Sequence, residues 1–303
     1  MIDAKDAYQK VEEEVKKHIA GKTEVIELLF IGLLANGHVL LEGVPGVAKT
    51  TMSKALASTI QADFKRIQCM PDIIPEDILG QAYYDENRDL KIKKGPIFTN
   101  ILLADELNRA PTKTMAAFLE ALEERQVSIG GADLPLPKPF MAIATQNPLT
   151  IEGTSPLPKV LADRFIMRIA VTYPSLEEEE SMLRLKEAED KVMTKKVLTP
   201  TDILDLQEQV KSVAFPEDVG EYVARLVDAS RTEMHIVMGA SPRADLSFMM
   251  CGKAKALIEG RKEVTKDDIR ALAKPVLSHR IVVRSTGGIG VNGIIDGILA
   301  SNR

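Results

Sequence analysis

Hydrophobic and polar positions follow two different rhythms along this chain. Up to about residue 175, short apolar runs alternate with segments whose apolar residues recur three and four positions apart. The runs at 39–41, 101–105 and 140–148 are apolar almost to their ends, as strands covered on both faces are. Residues 65–70 alternate polar and apolar, and 166–171 supplies a fifth strand. Helical spacing fills the intervals. Ala7, Tyr8, Val11, Val15 and His18 share one face of a helix over 4–20, Gly21 ends it, and a second helix runs from Lys22-Thr23-Glu24 to about Ala35. Met52, Ala55 and Leu56 lie on a third helix, and Met115, Phe118, Leu119 and Leu122 on a strong one after Pro111. Residues 71–80 make a turn and a short helix. Two hairpins are predicted, one around Asp85-Glu86-Asn87-Arg88 and one over 126–137 around Gly130-Gly131, where a plain surface loop is the alternative.

From Tyr173-Pro174-Ser175 onward the pattern is helical only. Ser175 with Glu178 makes a capping box for a helix over 176–190, and Thr199-Pro200-Thr201-Asp202 caps the next. Phe215-Pro216-Glu217 opens a helix reaching Arg231. Ser241-Pro242-Arg243-Ala244 caps one that carries Leu246, Met249, Met250 and Ala254, and Thr265 to Asp268 cap another ending near Leu277. The pattern predicts an α/β core over residues 1–175, built on a parallel five-stranded sheet, and a smaller all-α domain over 176–303.

Composition narrows the class only slightly. With 45% hydrophobic and 27% charged residues the chain is an ordinary soluble globular protein. A net charge of −5 offers no global basic character for nucleic acid or an anionic membrane. The pairs Lys16-Lys17, Lys93-Lys94 and Lys195-Lys196 read as solvated faces. Cys69 and Cys251 show no metal-ligand spacing and read as reduced core thiols; four scattered histidines form no H-x-x-x-H pair, so no zinc site is expected. The first residues lack a signal-peptide core and no apolar run approaches membrane-spanning length, so a cytoplasmic protein is expected.

The chemistry concentrates where strands end. After the run 39–41 comes Gly43-Val44-Pro45-Gly46-Val47-Ala48-Lys49-Thr50-Thr51, a flexible turn between a strand and a helix. Backbone N–H groups of such a loop point at one anion, and the positive end of the following helix adds to the attraction. Lys49 is placed to reach the outer phosphates and the Thr50 hydroxyl to ligate Mg²⁺. One departure is visible: the strict phosphate-loop pattern has Gly where this chain has Ala48. The run 101–105 ends in Asp105-Glu106, at the end of a strand where open α/β sheets bind ligands. Asp105 can hold Mg²⁺ and Glu106 can orient a water for attack on a γ-phosphate. Asn147 ends a further strand and would neighbour the carboxylates if the two strands are adjacent; a turn-forming Asn before Pro148 is the alternative. Asp163-Arg164 in isolation reads as a local salt bridge. Arg243 falls in the first turn of its helix, the wrong end for a cation, which makes sense if an anion sits there; a solvated Arg is the competing reading. Gly288-Ile289-Gly290-Val291-Asn292-Gly293 matches the dinucleotide pattern G-x-G-x-x-G, but no βαβ unit can follow it so near the end, and a loop before a short terminal helix over 294–300 is expected.

Taken in order, the phosphate loop, Leu103-Ala104-Asp105-Glu106-Leu107-Asn108-Arg109-Ala110-Pro111, Ala144-Thr145-Gln146-Asn147-Pro148, Leu161-Ala162-Asp163-Arg164-Phe165 and Gly239-Ala240-Ser241-Pro242-Arg243 resemble the AAA+ ATPases, and within them the MoxR family. The resemblance spans nearly the whole chain, and the family often lacks the Gly that Ala48 replaces. It implies an AAA+ core followed by a lid, with Gly43 to Thr51 as Walker A, Asp105-Glu106 as Walker B, Asn147 as sensor 1 and Arg243 as the sensor 2 arginine of the lid. It implies that Arg164 is an arginine finger acting on ATP held by a neighbouring subunit, and that the hairpins are the helix-2 and pre-sensor 1 inserts. Family members form hexameric rings and act as chaperone-like remodelling ATPases on partner proteins, often beside proteins with a von Willebrand factor A domain. The expected function is therefore Mg²⁺-dependent ATP hydrolysis in a homo-hexamer.

Two alternatives remain at this level. Related rings move or load nucleic acid, against which the acidic balance and the lack of interleaved aromatic and basic residues argue. A nucleotide-binding switch that rarely hydrolyses would carry the same motifs.

Overall fold

The N-terminal half is built around five parallel strands. The protein is described by a computed structural model over residues 2–19, 21–44, 46–147, 155–188, 194–284 and 290–302. Helices α1 (Ala4–Lys16) and α2 (Thr23–Leu34) lead into β1 (Val39–Glu42) and then α3 (Lys49–Thr59). The first helix stops short of the expected residue 20; a turn follows, and His18 lies outside the helix, its Nε2 2.6 Å from Thr194 Oγ1. Next come β2 (Phe64–Gln68), α4 (Pro75–Leu79) and the hairpin β3 (Gly80–Tyr84) and β4 (Leu90–Lys94). After β5 (Ile101–Asp105), a short 3-10 turn (Leu107–Arg109) leads to α5 (Thr112–Glu124). The second hairpin follows as β6 (Gln126–Ile129) and β7 (Ala132–Pro135), so this stretch is paired rather than a plain loop. β8 (Met141–Gln146), α6 (Lys159–Ala162) and β9 (Met167–Ala170) complete the core.

The sheet order is β2-β5-β8-β1-β9, parallel throughout. Alternate residues of one strand enter different layers. Val39, Leu41, Ile101, Leu103, Met141 and Ile143 pack with α1, α2 and α3, whereas Leu40, Leu102, Ala104, Ala142 and Ala144 pack with Met115, Phe118 and Leu122 of α5. Two covered faces explain why these strands read as unbroken apolar runs. Phe30 and Phe118 are among the largest fully buried side chains, one in each layer, and each contributes roughly 1.5–3 kcal/mol of burial.

The rest of the chain is helical: α7 (Leu176–Ala188), α8 (Pro200–Ser212), α9 (Glu217–Thr232), α10 (Arg243–Ile258), α11 (Lys266–Leu277) and α12 (Val291–Ser301). The capping boxes at Ser175/Glu178, Thr199/Asp202 and Thr265/Asp268 all form. Asp190 of the expected seventh helix lies outside the described residues. Two short strands interrupt the helices, β10 (Ile236–Met238) and β11 (Val282–Val283), which pair antiparallel. They are too short for an alternating period to show in the sequence. The inward face of α10 also differs from expectation. Ala244, Ser247, Phe248, Cys251 and Ala254 face the core, while Leu246 is exposed. Small residues let α1, α2, α8, α9 and α11 approach this central helix closely, so size matters more there than hydropathy. Both cysteines are buried and unpaired. Residues 291–293 of the dinucleotide-like stretch belong to α12, while Gly288 and Ile289 lie outside the described residues. Among the described residues no helix is long and apolar enough to cross a membrane.

Candidate active site

Three strand ends meet in the middle of the sheet. β8 lies between β5 and β1, with Glu42 level with Gln146 and Ala104 level with Ala144. Gly43, Asn147 and Asp105-Glu106 therefore leave their strands side by side, at the edge where open parallel sheets bind ligands. The adjacency on which the reading of Asn147 depended is present. Asn147 lines a cavity of about 510 Å³ together with Glu42, Asn108 and Gln146, and its carbonyl accepts from Asn108 Nδ2 at 3.4 Å.

In the loop after β1, the described residues include two glycines in positions that side chains fit poorly. Gly43 cannot carry a side chain, because a Cβ there would lie 2.4 Å from the Val171 carbonyl oxygen. Gly46 takes φ +86° in open space, and Ala48 takes φ +60°, a left-handed conformation that glycine adopts more readily. Pro45 lies outside the described residues. Val47 is buried, Val44 is partly buried and Thr51, on the first turn of α3, is exposed. Lys49 starts α3 and turns its Nζ back onto the loop, donating to the Gly43 carbonyl and to Gln146 O (3.1 Å). Burial lowers its pKa against the opposing charges of Asp105, Glu106 and Glu42, so a further anion would relieve an ammonium held by neutral carbonyls.

Asp105 is the hub. It is only 7% exposed, and its Oδ2 accepts from Thr50 Oγ1 at 3.0 Å and from Arg66 Nε (3.1 Å) and NH2 (2.7 Å). Oδ1 accepts from Thr145 Oγ1 at 2.6 Å. Burial pushes the carboxyl pKa up, but the hydrogen bonds from Thr145, Arg66 and Thr50 and the charge of Arg66 outweigh it, and the net shift is downward. A hydroxyl and an ionised carboxylate are the hard oxygen donors Mg²⁺ takes, and a guanidinium already rests on one of the oxygens, so the pair fits a divalent cation. Glu106 sits at φ +55°; its N–H donates to Thr145 Oγ1 (2.8 Å) and its carboxylate pairs with Arg109 at 2.8 Å. Thr145 thus fixes both acidic residues relative to each other.

Arg164 and Arg243 lie elsewhere. Met167 of β9 is level with Val39, the first residue of β1, and Ile166 N donates to His38 O. Arg164, two residues earlier, is therefore at the strand-start edge, opposite the loop from Gly43 to Lys49. Arg243 joins it there. Arg164 Nε (2.9 Å) and NH2 bind Glu123 Oε2, and Arg243 NH2 binds Glu123 Oε1 at 2.5 Å. The anion at the first turn of α10 is thus Glu123, with Asp163 Oδ2 3.7 Å from Arg243 Nε. The expected local pair between Asp163 and Arg164 does not form. Asp163 binds Arg280, whose side chain is 1% exposed, and Ser241.

The motifs left without an assigned role four residues that contact motif side chains. Arg66 occupies a polar position on an alternating strand, and Thr145 is the first polar residue after an apolar run; both are weak signals of a lining role. Glu123 and Arg280 carry no local signal, because their partners are distant in sequence.

The AAA family model (ATPase family associated with various cellular activities) matches residues 38–167, and the AAA lid domain model matches 228–289. The chain is 41% identical to Chaperone MoxR1 of Mycobacterium tuberculosis over 280 residues, covering 89% of this chain and 74% of that one. It is 39% identical to the uncharacterized protein YeaC of Bacillus subtilis, covering 96% and 93%. A crystal structure of a provisionally assigned ATPase from Cytophaga hutchinsonii matches with a TM-score of 0.90 at 37% identity, over 98% and 94% of the two chains.

Proposed function

This chain belongs to the MoxR family of AAA+ ATPases, and from that premise we propose that it hydrolyses Mg²⁺-ATP in a homo-hexameric ring to remodel or mature partner proteins. The observation that carries the reading is the Thr50 hydroxyl on the Asp105 carboxylate, 3.0 Å apart, within the field of the Lys49 ammonium. Gly43 to Thr51 would cradle the phosphates, Lys49 would reach the outer ones, and Thr50 and Asp105 would hold the metal. Bound Mg²⁺ supplies charge neutralisation at the transferring phosphoryl group. Glu106 would leave Arg109 and orient the attacking water, with Asn147 beside it.

The placement of the arginines supports assembly. Arg164 and Arg243 stand at the far edge of the sheet from their own phosphate loop. A cation at that edge serves a nucleotide only if a second copy presents its loop there, and a head-to-tail contact of this kind makes a ring when its rotation closes, as the hexamer proposed here requires. Both would act across the interface, leaving residues 1–175 as the nucleotide core and 176–303 as the lid. The identity with a protein named as a chaperone supports partner proteins as clients, and von Willebrand factor A domain proteins are the class to test first. Cytoplasmic action accords with this role.

Turnover measured across a dilution series tests the reading. Specific activity should fall steeply as the ring dissociates, and Glu106→Gln should bind ATP without turning it over. Equal rates for wild type and Glu106→Gln would remove Glu106 from catalysis and leave a nucleotide switch. Client proteins should co-purify with the Glu106→Gln variant in ATP.

A further inference from the structure

Glu123 ends a structural rod. α5 starts at Thr112, after the Glu106–Arg109 segment at the loop edge, and at about 1.5 Å per residue carries Glu123 roughly 17 Å along its axis to the arginine edge. There one carboxylate serves two guanidinium groups, Oε2 taking Arg164 and Oε1 taking Arg243. The two arginines come from different elements, one from the joint between α6 and β9 and the other from α10. Without an anion between them they would repel, and each long side chain would regain its rotamers. Asp163 is already engaged with buried Arg280 and with Ser241, and it reaches Arg243 only at 3.7 Å. Arg164 has no other carboxylate among the contacts of the described residues; its NH1 donates to Val160 O at 2.7 Å. Glu123 does not exhaust these groups. Each guanidinium has five donors, and three of Arg164's are committed, so two remain for an incoming anion. Within this cluster, Arg164, Arg243 and Arg280 against Glu123 and Asp163 leave one net positive charge, and Arg125 lies beside it.

We propose that Glu123 is a positioning residue for hydrolysis in the neighbouring subunit, holding Arg164 and Arg243 together as one bidentate clamp aimed at that subunit's triphosphate. This rests on the trans placement of the arginines described above. Because α5 follows Glu106 after one short turn, the same helix links the acid end of one site to the cationic half of the next.

The test uses the full chain with Glu123→Ala, which removes a half-exposed side chain and should leave the thermal midpoint unchanged. ATP affinity and KM should stay at wild-type values, while kcat falls about 10²-fold, the scale for misplaced catalytic groups. The decisive measurement mixes Glu123→Ala subunits with Lys49→Ala subunits, each near-inactive alone. Mixed rings contain junctions joining an intact loop to intact arginines, so turnover should rise well above the sum of the two. An Arg164→Ala and Lys49→Ala mixture runs in parallel. If that control recovers and the Glu123→Ala mixture does not, Glu123 acts within its own subunit and the inference is wrong. Wild-type kcat for Glu123→Ala alone would also overturn it. If neither mixture recovers, the trans reading itself falls.

Discussion

Arg66 NH2 lies 2.7 Å from Asp105 Oδ2, the oxygen that also accepts from Thr50 Oγ1 at 3.0 Å. A guanidinium from the edge strand thus sits where the divalent cation of a phosphate-transfer site would be held. It neutralises a carboxylate that is otherwise buried beside Glu106, and it competes with any metal for the same lone pairs.

Arg66→Ala should therefore separate two properties. The nucleotide-free protein loses stability, because Asp105 keeps its charge with only hydroxyl partners. Mg²⁺-ATP then meets no competitor, so the gain in melting temperature on adding it is larger than for wild type. Thermal shift with and without Mg²⁺-ATP checks both; an equal gain in the two proteins would show that Arg66 does not compete.

Acid should act through the same carboxylate. The Asp105 pKa is lowered in the fold, so the unfolded chain takes up its proton at higher pH than the native state does. Its contribution to stability is complete above the ordinary Asp value of about 3.9 and is lost as pH falls below it through the native pKa. Asp105→Asn should flatten the acid limb of a stability-versus-pH curve, read by urea midpoints between neutral pH and strong acid.

Two small substitutions in the phosphate loop should differ in sign. Gly43→Ala drives a methyl into the Val171 carbonyl and should destabilise by about 1–3 kcal/mol, with loss of ATP binding. Ala48→Gly relieves a left-handed residue at a cost of extra freedom in the unfolded chain, and should stabilise by up to about 1 kcal/mol. Denaturation midpoints and fluorescent-nucleotide titration distinguish them.

Arg164→Ala should leave ATP binding nearly intact while turnover drops by about 10³–10⁵, the range for arginine fingers supplied in trans. Arg243→Ala should move in the same direction for the same reason. Weaker ATP binding by Arg243→Ala protein diluted to monomer would place that residue in its own subunit's site. Equilibrium binding at low concentration, set against steady-state rates at high concentration, supplies the comparison.

The sequence by itself determined whatever depends on neighbours along the chain. A strand buried on both faces must be apolar throughout, so 101–105 announced itself, and the glycines, lysine and threonine after β1 fall within eight residues, as a single turn proposed to surround one anion needs. Capping boxes such as Thr199/Asp202 close over three residues and were equally legible. Only the tertiary structure decided that Arg66 reaches Asp105 across 39 positions, that Arg243 meets Glu123 across 120, and that Asp163 turns from Arg164 to Arg280 across 117. These partnerships follow from the strand order β2-β5-β8-β1-β9 and from which edge each helix reaches. A charge next to an opposite charge in sequence has no preference for it once the fold offers a better-buried partner. Local pattern encodes backbone conformation, whereas the pairing of long charged side chains is settled by where the packed sheet brings their ends.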